Sequence, residues 1–176
     1  MDKLIKKIKK GDKSAFSELV HNIEKKLYII AQARLYNLED VNDAIQDTIL
    51  QIYLNIKNLK DINKFNSWSI SILINSCNMI LRKKQKDCCL SYEELDDEGI
   101  SLFDDEYIEI DNSIDFFSII ENLNIDERTI VTMYYSNEYT TREISEILCI
   151  NESTVRSKLN RAKIKIKEDL NERKNR

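Results

Sequence analysis

Between Asn151 and Lys165 the chain reads NESTVRSKLNRAKIK. On a helix, Ser153, Thr154, Arg156, Ser157, Asn160 and Arg161 fall on one side, while Val155, Leu159, Ala162 and Ile166 recur on the other. The polar side has the chemistry of duplex recognition. Arginine can hold guanine at two acceptors, asparagine can read adenine, and hydroxyls can bond phosphates. Lys158, Lys163, Lys165 and Lys167 add attraction for the backbone.

Two further constellations stand earlier in the chain. Asp43, Gln46, Asp47, Leu50 and Leu54 share a helical face. Two leucines beside two carboxylates suit a protein partner with a basic rim and an apolar centre. On spacing alone, packing of Leu50 and Leu54 on a neighbouring helix explains them equally well. Ser71, Asn75, Asn78 and Arg82 form a narrow polar stripe that runs into RKKQK, so Lys83 and Lys84 join it. Amides followed by cations suit base edges and phosphates, though a basic helix end also complements the helix dipole.

Catalytic chemistry has little to work with. No acid–base pair clusters, no nucleophile sits beside a base, and no phosphate-binding loop occurs. Cys77, Cys88, Cys89 and Cys149 form no CxxC pair, so no metal site and no cofactor are expected. The chain is not expected to be an enzyme or to take a small-molecule substrate. Nothing near Cys88 and Cys89 clearly activates a thiolate, and the sequence assigns them no role.

The elements that must position these residues are helices. The 176 residues include no proline and only two glycines, Gly11 and Gly99, so helix interiors run uninterrupted and tight hairpins have no turn dipeptide. An all-α protein follows. Asp12 can cap a helix whose apolar stripe is Phe16, Leu19, Val20, Ile23, Leu27, Ile30 and Ala31. A second helix spans about 39–58 and a third about 64–84. The third carries apolar edges on two sides, Phe65, Trp68, Ile72 and Met79 on one, which predicts deep burial. Ahead of them, Leu4, Ile5 and Ile8 line a short helix expected to pack loosely, because brief helices are marginal.

A second helical domain begins near Ser113, with a helix over about 126–136. Thr140 or Thr141 can cap a helix bearing Ile144, Ile147 and Leu148; Cys149–Ile150 makes a short turn, and Asn151 can cap the next helix. Two helices joined so briefly form a helix-turn-helix. The domains are expected at 1–86 and 113–176, joined by an acidic linker over 87–112. That linker holds 11 of the 31 carboxylates and no Lys or Arg. The remaining 20 acids face 27 bases, so the formal charge of -4 conceals a remainder of about +7. No apolar run approaches a membrane span, and the basic N-terminus lacks a signal-peptide core. A cytoplasmic protein with no membrane insertion is the expectation.

Taken in order, these segments resemble an extracytoplasmic-function (ECF) sigma factor, the compact sigma-70 type built from regions two and four. EDVNDAIQDTILQIYLNI is similar to the segment by which region two docks on the clamp of RNA polymerase, with Asp43, Gln46, Asp47 and Leu50 at matching positions. FNSWSISILINSCNMILRKKQK resembles the segment that melts and reads the -10 element, with Trp68, Asn75 and Arg82 matching. YTTREISEILCINESTVRSKLNRAKIKI is similar to the -35 reader. The resemblance implies core RNA polymerase, at its clamp and flap, and promoter DNA as partners, and leaves room for an anti-sigma factor. It also implies that the linker lies near the polymerase's RNA path, where Asp96, Asp97 and Glu98 can mimic a polyanion.

Some positions depart from the family pattern. Cys149 stands where a turn glycine is usual, Ser153 where glycine is common, Met79 where Asp is frequent and Ile74 where Arg is frequent. A stand-alone helix-turn-helix regulator would explain 141–167 as well. It would leave the Asp43–Leu50 face and the segment 68–86 without a use.

Overall fold

The computed structural model describes residues 1–90 and 113–174. Among them every regular element is helical: α1 (Asp2–Lys9), α2 (Lys13–Arg34), α3 (Leu38–Asn55), α4 (Phe65–Leu90), α5 (Ser113–Ile120), α6 (Ile125–Tyr135), α7 (Thr141–Leu148) and α8 (Glu152–Lys174). Two short 3-10 turns, Ile56–Asn58 and Ile62–Lys64, join α3 to α4. None of the described helices is long and apolar enough to cross a membrane.

Local chemistry sets the boundaries. Gly11 adopts φ 97°, a conformation open to glycine at no steric cost, and reverses the chain between α1 and α2. The Asp12 carboxylate then accepts from the Ala15 N–H at 3.1 Å and the Ser14 hydroxyl at 2.8 Å. Those bonds hold its pKa below the usual carboxylate value, the backbone bond contributing most. Asn37 caps α3 by accepting from the Glu39 N–H at 2.7 Å, and Asn124 caps α6 by accepting from Glu127 at 2.9 Å.

The first domain packs α2, α3 and α4 around Leu19, Leu27, Ile30, Val41, Ile52, Leu73 and Cys77. Thr48 is fully buried in α3, and its hydroxyl is satisfied by the Ala44 carbonyl at 2.6 Å. Burial pushes the Cys77 thiol up to about 12. The first helix is not loose. Ile5 is wholly buried, Ile8 nearly so, and the Lys9 ammonium donates to the Leu59 carbonyl. Tertiary burial thus supplies what eight residues lack alone.

Two expectations for the third helix need correction. Its backbone continues to Leu90, into the stretch read as linker. Met79 is 67% exposed, because burial follows the side through Ile70, Leu73, Ile74 and Cys77. The acidic stretch 91–112, including Asp96, Asp97 and Glu98, lies outside the described residues.

In the second domain α6 lies inside, against α7 and α8, and also packs along α2 of the first domain; α7 rests on α4. Residues 127–133 of α6 are consequently buried all round.

Candidate nucleic-acid interface

The helix-turn-helix forms as the sequence implies. Thr140 is the cap of α7 in a reciprocal box: the Glu143 N–H donates to Thr140 Oγ1 at 3.2 Å, and the Thr140 N–H donates to Glu143 Oε2 at 2.9 Å. The Thr140 N–H, and then the Thr140 hydroxyl donating to the same carboxylate oxygen at 2.8 Å, lower the Glu143 pKa. The turn pivots on Cys149, which takes the left-handed conformation at φ 54°, ψ 41°. A residue with a Cβ is strained there, and glycine is the usual occupant. The Asn151 carbonyl accepts from Thr154 and Val155, starting α8.

Glu152, which sequence reasoning did not single out, organises the start of α8. It accepts from Thr141 Oγ1 at 2.7 Å and from Arg156 Nη2 at 2.7 Å. Both bonds lower its pKa, the Thr141 bond most. This carboxylate ties the two helices together and aims the Arg156 guanidinium. Its spacing of four from Arg156 was the available signal.

Val155, Leu159 and Ala162 are buried, which turns the opposite side of α8 to solvent. Ser153, Arg156, Ser157, Asn160, Arg161 and Lys163 are exposed there, and Thr154 is half-buried. The structure brings these residues together on one helical face. Lys158 differs: it is half-buried and bonds Asp126 at 2.9 Å.

On α4 the predicted stripe is only partly open. Asn75, Arg82, Lys83 and Lys84 are exposed, and Trp68 and Ser71 are half-buried. Trp68 stacks obliquely on Phe65, with ring centres 6.0 Å apart. Ser71 donates to the Ser67 carbonyl at 2.9 Å, and Lys84 pairs with Asp40. Asn78 turns inward toward Arg34, which donates to its Oδ1 at 3.1 and 2.6 Å.

The mixed face of α3 is uncovered. Leu50 is 53% and Leu54 is 59% exposed, so packing on a neighbouring helix is not their role in this structure. Asp43 and Gln46 are exposed beside them. Asp47 is half-buried and accepts from Ser76 Oγ at 2.5 Å, tying α3 to α4.

The described residues thus form helices alone, with a helix-turn-helix at one end and an exposed apolar–acidic helix face at the other. Residues 19–87 match the model for Sigma-70 region 2, and residues 115–166 match that for Sigma-70, region 4. The chain belongs to the sigma-70 family, in its ECF class. It is 28% identical to the ECF RNA polymerase sigma factor SigW of Bacillus subtilis, over 96% of this chain and 95% of that protein. It is 26% identical to the ECF RNA polymerase sigma-E factor of Haemophilus influenzae, over 91% and 89%. The fold matches the sigma factor RpoE of Bartonella quintana, solved with the anti-sigma factor NepR, at TM-score 0.74 and 18% identity, covering 89% of this chain and 96% of that one. It matches CnrH, solved with the cytosolic domain of CnrY, at TM-score 0.68 and 17% identity, covering 96% and 95%. The chain is an alternative sigma factor, which binds core RNA polymerase and directs promoter-specific initiation.

Proposed function

We propose a division of that work among named residues. Asp43, Gln46, Asp47, Leu50 and Leu54 dock on the polymerase clamp; Trp68, Ser71, Asn75, Asn78, Arg82, Lys83 and Lys84 face the -10 element. Ser153, Thr154, Arg156, Ser157, Lys158, Asn160, Arg161 and Lys163 face the -35 element. The polymerase performs the chemistry and the chain contributes recognition alone. The fold neighbour RpoE, solved with the anti-sigma factor NepR, supports such an antagonist for this chain as well.

The observation that carries this reading is the exposure of Leu50 and Leu54 beside Asp43 on a chain whose α8 presents an uncovered polar face. A stand-alone DNA regulator has no use for the first of these. The test is a set of variants read in two assays. Arg161→Ala should weaken use of the -35 element by about tenfold, as loss of one good base contact does, and leave core binding intact. Leu50→Asp should abolish core binding and leave duplex binding intact. Loss of both functions together in either variant would contradict the division.

A further inference from the structure

The cations on the open side of α8 are not held alike. Lys158 is drawn back to Asp126, and Lys163 stands 5.9 and 5.8 Å from the ring centres of Tyr134 and Tyr135. Arg156 is held by a carboxylate that is itself held. Its Nη2 donates to Glu152 Oε1 at 2.7 Å, and the same oxygen accepts from Thr141 Oγ1 at 2.7 Å. Thr141 opens α7 and Glu152 opens α8, so the carboxylate is anchored on the neighbouring helix before it holds the arginine. The ion pair Arg142–Glu146, at 3.5 Å, lies within α7 alone.

The held pair is still open to DNA: the Arg156 side chain is 67% exposed and that of Glu152 36%. A guanidinium is a fixed fork of N–H donors, and a bond from Nη2 leaves donors for the acceptors of a guanine. An untethered arginine on such a face has a second choice. It can turn to the nearest phosphate, which carries no sequence. Glu152 works against that choice in two ways. It fixes the guanidinium by a charge-assisted bond. Its own charge also repels phosphates, so the pair adds little to non-specific attraction. Affinity falls and discrimination rises.

We propose that Glu152 sets sequence preference within the -35 element. Anchored by Thr141, it positions Arg156 against the guanine of one G·C base pair and keeps it off the phosphates. Glu152 is a positioning residue that acts through Arg156. This rests on the reading that Arg156 faces the -35 element.

The test uses holoenzyme, core with the full chain, on a promoter fragment that the wild-type holoenzyme transcribes. Each -35 base pair is changed in turn. The Kd of every fragment is measured for wild type, Arg156→Ala, Glu152→Ala, Thr141→Val and the double variant Glu152→Ala/Arg156→Ala. In wild type, changing the pair read by Arg156 should weaken binding about tenfold, as loss of one good base contact does. Arg156→Ala should abolish that preference and so identify the pair. Glu152→Ala should reduce the preference at the same pair about fivefold, the scale of coupling between touching charged residues. It should leave preferences at the other pairs unchanged and bind the mismatched fragment at least as tightly as wild type. A merely structural role at the start of α8 would weaken every fragment alike. Thr141→Val is nearly isosteric, keeps the Glu152 charge and guards against loss of fold in Glu152→Ala. It should reduce the preference at the same pair about twofold, the share of one weak hydrogen bond. The double variant should match Arg156→Ala at that pair, because the two residues act as one. Full preference at that pair in Glu152→Ala, or an even loss of affinity across all fragments in both Glu152→Ala and Thr141→Val, would overturn the proposal while the assignment of Arg156 stands. Wild-type preference at every pair in Arg156→Ala would overturn that assignment, and the proposal with it.

Discussion

Replacing both Leu50 and Leu54 with alanine should separate docking from folding. Just over half of each side chain is exposed, 53% and 59%. Full burial of a leucine is worth about 1.5–3 kcal/mol, so the half still open to a partner is worth about 1 kcal/mol per residue. The double substitution should therefore cost about 2 kcal/mol on docking, or about a 30-fold rise in Kd for core polymerase. Folding stability should fall by at most a similar amount, about 2 kcal/mol, since just under half of each leucine is buried within the chain. Fluorescence anisotropy with purified core measures the first, and urea denaturation the second. Met79→Ala is a useful control, because Met79 is 67% exposed on α4 rather than on the α3 face. A double variant that folds normally and binds core within twofold of wild type would refute the assignment of this face.

Other outcomes follow from single residues. Cys149→Gly should stabilise the fold by about 1 kcal/mol, because the left-handed turn strains a residue with a Cβ; a lower denaturation midpoint would contradict this. Glu152 has a lowered pKa in the fold, so its contribution is present above its unfolded pKa and is lost as pH falls through the folded one. The stability gap between wild type and Glu152→Gln should therefore be full at pH 7 and should close only in acid below the usual glutamate range, as read by thermal melts across pH. Cys77 is buried with its thiol raised to about 12, whereas Cys149 is exposed. In a chain with Cys88 and Cys89 replaced by serine, a maleimide at pH 8 should label Cys149 quickly and Cys77 only after unfolding.

Residues that answer to neighbours a few positions away were legible in the sequence. Asp12 caps α2 through Ala15, Thr140 caps α7 through Glu143, and Val155, Leu159 and Ala162 fix the inward side of α8. These are short-range relations, and their periodicity is written in the chain. The exposed face of α8 follows from them directly.

What the sequence concealed depends on distant partners. Asn78 was placed by its spacing on α4, and its bond to Arg34, 44 residues away on another helix, is not written in that spacing. Ile5 and Ile8 looked too few to hold a helix, and the first-domain core supplies the burial. Met79 lay on one of two apolar edges, and only packing decides which edge is covered. The polar side of α6 reads as a solvated helix face until α2 is placed against it.

The central claim is that this chain gives core polymerase a promoter preference. The direct measurement is in vitro transcription from fragmented genomic DNA, with purified core alone and with core plus the chain, mapping every new 5′ end. The account predicts new start sites that share one sequence element near -10 and another near -35. Duplex binding by the chain with no core binding and no new start sites would contradict it, and would leave a DNA regulator that acts without the polymerase.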